Sequence, residues 1–166
     1  MINKELSKAE KKSEKTLFRI GLDKAMGQCS RREFCVDDIR SKLSLWGLEK
    51  NDAEKVIRTL ISEKFIDETR YASAFVRDKF KYNKWGRVKI AAHLKRKKIP
   101  EDTINEAIRA VDNDQYIYFL KRLLEGHRRT IKAKNKYDLK SKLLRYGLSK
   151  GFESNLLYDI LNELDE

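Results

Sequence analysis

One proline, seven glycines, two cysteines and two histidines among 166 residues exclude several kinds of protein at the outset. So few turn formers leave little material for β-hairpins or a loop-rich sandwich. Cys29 and Cys35 lie six residues apart with no second pair and no nearby histidine, which does not match a zinc framework. They read as small buried hydrophobes, and a structural disulfide is not expected in a reducing cytosol. No apolar run approaches the roughly 20 residues needed to span a bilayer, and the start MINKELSKAEKKSEK lacks the apolar core of a signal peptide. A cytoplasmic protein without a membrane association is expected.

Catalytic signatures are equally scarce. His93 and His127 lack H-E-x-x-H spacing, and no glycine-rich phosphate loop is present. Carboxylates are numerous, yet most stand at helical spacing beside bases, as Asp37 does with Arg40 and Glu54 with Arg58, where solvated ion pairs are the ordinary explanation. His93 reads as a polar-face histidine, with a hidden acid or base as the alternative. The expectation is a protein that is not an enzyme and holds neither cofactor nor metal.

What the chain does have is charge. Lys and Arg number 38 against 26 Asp and Glu, a net charge of +12, and charged residues make up 39% of the sequence beside 40% hydrophobic ones. That balance permits a core only in thin layers with a large solvated surface. The excess of positive charge predicts a polyanionic partner, nucleic acid first. The abundance of Lys, Glu, Leu, Ala and Arg predicts an all-α protein.

The sequence also repeats itself. Segments beginning at Val36, Lys89 and Tyr137 align so that Ile39, Ile90 and Leu139 correspond, then Leu43, Leu94 and Leu143, then Leu48, Ile99 and Leu148. Beyond them fall Val56, Ile57 and Leu60, then Ala107, Ile108 and Val111, then Leu156, Leu157 and Ile160. Recurrence at three and four residues predicts two short helices per block. Gly47 and Gly147 suit left-handed helix C-caps followed by a hydrophobic contact, with Lys98 replacing the glycine in the middle copy. Asp52 and Ser149 are expected N-caps, and Pro100, Glu101 and Asp102 suit a first turn.

A further helix precedes each block, over about Thr16–Gln28, Glu68–Tyr82 and Asn113–Arg128. The expected architecture is therefore three tandem three-helix repeats forming an elongated, curved rod. Its segments are a basic N-terminal extension over 1–15, repeat 1 over 16–66, repeat 2 over 67–112, and repeat 3 over 113–166 with a basic insertion near 126–136. The extension, Lys4 to Lys15, is expected to be helical and frayed. A sequence-reading helix-turn-helix is disfavoured, because Asn51-Asp52-Ala53-Glu54 and Pro100-Glu101-Asp102-Thr103 would set carboxylates against phosphates.

Two basic stretches supply the candidate binding residues. From Lys79 to Lys98 there are nine bases and no acid: Lys79, Lys81, Lys84, Arg87, Lys89, Lys95, Arg96, Lys97 and Lys98. Phe80, Tyr82 and Trp85 interleave with them, and a base stacked on an exposed ring is worth roughly 1–3 kcal/mol. Periodicity places Phe80 in the core and leaves Trp85 either packed between repeats or exposed. The second stretch carries Arg128, Arg129, Lys132, Lys134, Lys136, Lys140, Lys142 and Arg145, opposed only by Asp138. Its first half has no apolar stripe, so a mobile linker and a phosphate contact both remain open.

The run Phe65-Ile66-Asp67-Glu68-Thr69-Arg70-Tyr71-Ala72, followed by Phe75-Val76-Arg77-Asp78-Lys79, resembles the signature between the first two repeats of the RecX family of bacterial regulators. Ser30-Arg31-Arg32-Glu33 with Asp38-Ile39, Lys42-Leu43 and Gly47 is similar to that family's first repeat. Trp85-Gly86-Arg87, Ile90, Leu94 and Ile99 resemble its continuation. Departures are Cys35 in place of the more usual serine, Lys98 in place of glycine, and the insertion at 126–136. The resemblance implies a monomeric, non-catalytic protein that binds the filament of the RecA recombinase on single-stranded or duplex DNA. It further implies suppression of ATP hydrolysis, strand exchange and filament growth. A general basic nucleic-acid-binding module acting without a recombinase is the alternative.

Overall fold

The computed structural model describes residues 2–163, with side chains at 13 and from 15 onward. Among these residues the chain forms helices and no strand, as the composition predicts. They are α1 (Ile2–Cys29), α2 (Val36–Leu45), α3 (Lys50–Ser62), α4 (Glu68–Lys81), α5 (Arg87–Arg96), α6 (Glu101–Arg109), α7 (Asn113–Arg128), α8 (Lys136–Lys150) and α9 (Ser154–Glu163). The expected extension over 1–15 belongs to the backbone of α1, while Met1 and the side chains up to Lys12 lie outside the described residues, as does Leu164 at the end of the third block.

The helices gather into two compact units, Met1–Tyr71 and Ala72–Glu166. In the first, α1 packs on α2 and α3 around Ile39, Leu43, Val56, Ile57 and Leu60, each at most 2% exposed. Cys29 and Cys35 are buried there, and burial raises the Cys29 thiol above its ordinary value. The signature run closes this unit. Asp67 accepts the Arg70 amide N–H, the Arg70 guanidinium binds Glu33 and the Lys64 carbonyl, and Glu68 accepts the Val36 N–H at 3.3 Å, capping α2. Burial pushes the Glu68 carboxyl above its usual range. Fixing the starts of α2 and α4 thus occupies three of the charged residues in that run.

In the second unit α5 packs on α6, and α8 on both α7 and α9. Tyr116, Leu120, Leu124, Leu143, Phe152, Leu157, Ile160 and Leu161 form one core cluster.

The same turn ends α2, α5 and α8. Gly47, Lys98 and Gly151 have φ of 86°, 59° and 85°. The following amides, of Leu48, Ile99 and Phe152, donate back to the carbonyls of Leu43, Leu94 and Gly147 at 3.0, 3.2 and 3.1 Å. Together with the bonds from Gly47, Lys98 and Gly151 to Ser44, Lys95 and Leu148, these are complete Schellman caps. Lys98 therefore makes the glycine's turn without being glycine.

The third copy departs from the sequence alignment by one helical turn. α8 runs through Gly147 and Ser149 and stops at Gly151, so neither is a helix boundary. Leu148 is 45% exposed, and Phe152, 2% exposed, fills the role of Leu48 and Ile99. Leu143 and Gly147 then match Ile39 and Leu43, and Leu157 matches Ala53 and Ile104. Gly147 holds a leucine's position because Leu157 occupies the space: a Cβ there would strike the Leu157 side chain. Asp52 likewise lies inside the first turn of α3, whose N-cap is Glu49.

A second glycine pair joins α5 to α8. The Gly86 N–H donates to the Lys150 carbonyl at 2.8 Å and the Val88 N–H to the Gly151 carbonyl at 3.0 Å. A Cβ on Gly86 would overlap the Gly151 carbonyl, and one on Gly151 would overlap Lys89. Beside this contact the buried Tyr116 hydroxyl accepts the Arg87 N–H at 3.0 Å and donates to Glu153 at 2.7 Å.

Substituting Gly86→Ala should cost about 1–3 kcal/mol or more in urea unfolding, since the clash is with backbone. Lys98→Gly should do the reverse. Relief of a left-handed non-glycine residue gains about 1–2 kcal/mol, partly offset by unfolded-state entropy of about 0.4–1 kcal/mol. A lowered midpoint for Lys98→Gly would contradict the shared-turn assignment.

Candidate nucleic-acid and filament interface

The seventeen bases singled out by charge, and Trp85 interleaved with them, all fall in the second unit, and the structure sorts them by what already holds them. Lys79, on the last turns of α4, is half-buried, with its ammonium 5.3 Å from the Phe75 ring centroid and 5.1 Å from that of Trp85. Lys89 covers the same indole at 4.9 Å and donates to the Ser149 carbonyl at 3.1 Å. Trp85 is therefore half-buried between two cations and packs on His93, ring centroids 4.5 Å apart. Part of it remains accessible, and its flanking charges make that part attractive to an anion.

Arg87 is the most committed of the set. Its guanidinium lies 3.9 Å over the Tyr116 ring, donates to Asn113 at 3.3 Å and pairs with Glu153 at 3.6 Å. With a side-chain exposure of 23% it holds α5 to the neighbouring helices and has little left for a ligand. Burial raises the Tyr116 phenol far above its ordinary value, so it stays a neutral donor to Glu153.

The run Lys95, Arg96, Lys97 and Lys98 closes α5 and enters its cap. Lys95, Arg96 and Lys98 are exposed, and Lys95 lies 3.4 Å from Glu101 with both groups largely solvated. Lys81 is exposed at the end of α4 beside Tyr82, and Lys84 folds back over Phe119.

The second stretch is ordered by short-range contacts. α7 ends at Arg128 and α8 starts at Lys136, so the segment expected as a basic insertion reduces to a short connection. Asn135 caps α8 by accepting the Asp138 N–H, and Asp138 in turn accepts from the Lys134 N–H and the Lys142 ammonium. The Lys142 ammonium beside it holds the Asp138 carboxyl below the usual carboxylate range. Lys142 also binds the Lys132 carbonyl, Lys140 binds Asn162, and Arg129 pairs with Glu125 at 3.2 Å. Arg128, Lys132, Lys134, Lys136 and Arg145 present exposed side chains. The bonds that join α5 to α8 fall at Lys89 and Ser149 to Gly151, beyond Arg145, so they bring only Lys89 against the far end of that helix.

Sequence reasoning did not find the Arg87, Asn113, Tyr116 and Glu153 network, because its members are scattered along the chain. Gly86 and Gly151 were its available signal, since glycine at a helix entrance and exit marks close backbone approach. Arg31, Arg32 and Lys42, which the sequence offered only as part of the family resemblance and not as candidate binding residues, line a hollow with Gln28 and Phe34 in the first unit.

His93 carries the one depressed imidazole. Burial first, then Arg96, Lys89, Lys79 and Lys97, lower its pKa below the ordinary value. The unfolded chain then binds the proton more readily than the folded one. Stability should be complete above about pH 6.5, the unfolded value, and should fall as pH drops through the lowered folded value. His93→Gln should flatten that dependence between about pH 7.5 and about pH 5.5, and an equally steep loss in the variant would place the titrating group elsewhere.

Known proteins share both the sequence and the fold. Residues 67–108 match the model of the RecX second three-helix domain. The regulatory protein RecX of Clostridium botulinum (strain Eklund 17B / Type B) is 30% identical over 129 residues, which are 75% of this chain and 59% of the relative, so the chain spans little more than half of that protein's length. The regulatory protein RecX of Prosthecochloris aestuarii is 29% identical over 153 residues, 88% of this chain and 94% of its own. The crystal structure of RecX from Lactobacillus salivarius superimposes with a TM-score of 0.78 at 20% identity, over 90% of this chain and 97% of that one. A second crystal structure of regulatory protein RecX gives 0.81 at 20% identity, over 91% of this chain and 74% of that one. The signature at Phe65–Lys79 and the helix order thus lead to one assignment, and the chain belongs to the RecX family of regulatory proteins.

Proposed function

We propose that this protein binds the RecA–DNA filament and restrains it, suppressing ATP hydrolysis, strand exchange and filament growth, and so modulates recombinational repair. It acts as a non-catalytic, cytoplasmic monomer, built as three tandem three-helix repeats with the boundaries given above. The observation that carries the reading is a cluster of exposed bases closing α5, Lys95, Arg96 and Lys98, of which Lys95 has a largely solvated Glu101 beside it at 3.4 Å, on a chain of this family. Solvated cations fixed on helix ends suit a charged polymer better than a compact ligand, because each neutralises a phosphate independently. The exposed members of Arg128–Arg145 supply the same chemistry at the end of α7, in the connection and on α8.

The acid-free window also favours a second reading, a general nucleic-acid-binding module that needs no recombinase. The two differ in what saturates them. Under the first, ATP hydrolysis by RecA on single-stranded DNA falls at protein amounts well below one per recombinase subunit, while binding to bare DNA at physiological salt is weak. Under the second, bare DNA is bound tightly, with a log–log salt slope of about 0.9 per neutralised phosphate on duplex and about 0.7 on single strands. An unchanged hydrolysis rate at saturating protein rejects the first.

Replacing Lys95, Arg96, Lys97 and Lys98 together by glutamate should raise the half-inhibitory amount about tenfold, equivalent to about 1.4 kcal/mol, with helix content by circular dichroism intact. Undiminished inhibition by that variant would move the contact away from the end of α5.

A further inference from the structure

A groove of about 560 Å³ opens in the second unit between α4, α6 and α7. Its floor is apolar: Val76, Phe80, Ala107, Val111 and Phe119, with Ala110 exposed at its edge. Phe80 packs against Phe119 with ring centroids 4.7 Å apart, and both rings stay half-buried. The volume lies in the range of pockets that bury most of a small ligand's surface. None of the bases at the end of α5 lines it.

The rim is positive. Arg77, Lys81 and Lys84 line it, and Asp112 is the one acid that does so among the described residues. Asp112 is already engaged as the N-cap of α7, where its carboxylate accepts the Gln115 N–H at 2.8 Å. That helix also directs the positive end of its dipole toward the same rim. Lys84 holds a left-handed backbone, φ 59°, with its ammonium 3.0 Å from the Lys81 carbonyl and 4.9 Å from the Phe119 ring centroid. It lies at the rim as a cation resting on the apolar floor.

Nucleic acid fits this place poorly. A phosphate backbone pairs with the rim, but the rings on the floor, Phe80 and Phe119, are half-buried and tilted against each other, so they offer a base no open face to stack on, and Val76, Ala107 and Val111 offer no ring at all. An acidic peptide segment with apolar side chains at helical spacing satisfies both surfaces, with its anchors on the floor and its carboxylates at Arg77, Lys81 and Lys84.

We infer that the groove between α4, α6 and α7 is a protein-docking site for an acidic, apolar-anchored segment of the recombinase, separate from the phosphate-binding bases at the end of α5. This rests on the filament-binding reading above and assigns one part of the surface to protein and another to DNA.

Two full-length variants at Ala110 test it. Ala110 is exposed at the edge of the groove and is not part of the core cluster around Tyr116, so a larger side chain there fills the groove rather than that core. Ala110→Trp should raise the half-inhibitory amount on RecA filaments at least several-fold, leaving helix content and affinity for bare single-stranded DNA unchanged. A photo-crosslinking p-benzoylphenylalanine in place of Ala110 should crosslink to RecA in the assembled filament, at a segment carrying both acids and large apolar residues. Crosslinking to DNA instead, or full inhibition by Ala110→Trp with no crosslink to RecA, overturns the docking site while leaving the filament reading intact. A wild-type protein that leaves RecA unaffected and uncrosslinked overturns both together.

Discussion

The second unit depends on two backbones approaching more closely than side chains allow. Gly86 and Val88 hand their amide protons to the carbonyls of Lys150 and Gly151, and neither glycine has room for a Cβ. The first turn of α5 is thereby tied to the last turn of α8, although more than sixty residues separate them in sequence. Arg87 lies inside that contact, and this explains why its guanidinium is committed to Tyr116, Asn113 and Glu153 rather than to solvent. Its charge is held by Glu153, its plane by the Tyr116 ring, and the tyrosine hydroxyl completes the circuit. A lysine in its place would lose the planar stacking and the two-nitrogen contact with Asn113.

A chain with a net charge of +12 must limit self-repulsion, and its second unit does so with aromatic faces and carbonyl oxygens as well as with carboxylates. Lys79 and Lys89 both rest against one indole, Lys84 lies over Phe119, and Lys142 caps the Lys132 carbonyl while pairing with Asp138. Aromatic faces and carbonyl oxygens supply negative potential at fixed positions without adding acids that would repel a polyanion. The bases left exposed, at the ends of α4 and α5 and around the start of α8, face solvent with few competing carboxylates. Local stability and attraction for phosphate therefore use different members of the same sequence runs.

This division explains what was legible in the sequence. Helix positions followed from apolar spacing, so that α7 begins and ends where Tyr116, Leu120 and Leu124 required, and Gly47 announced its own cap. The third copy was misread by one turn because Gly147 resembles a cap and Leu148 resembles its hydrophobic partner. Only the packing of Leu157 reveals Gly147 as a buried position whose neighbour has taken its volume. Lys98 shows the opposite case: the backbone kept a left-handed turn where the residue type no longer signals it. Charge runs located the basic surface but gave no means of separating Arg87 from Arg96, since burial and partners depend on residues distant in sequence.

The separation bears on how a small protein can act on a polymer made of both nucleic acid and protein. A purely basic surface binds any phosphate backbone, and its preference for a filament over bare DNA has to come from something else. On the proposed filament reading an apolar floor supplies it, because burial of apolar surface is insensitive to the counterions that weaken phosphate contacts as salt rises. The groove beneath Lys84 and the bases at the end of α5 lie on one unit, so both kinds of contact can form in a single binding event. Linked in this way, each contact raises the effective concentration of the other, and two individually weak surfaces become selective only where recombinase and DNA occur together.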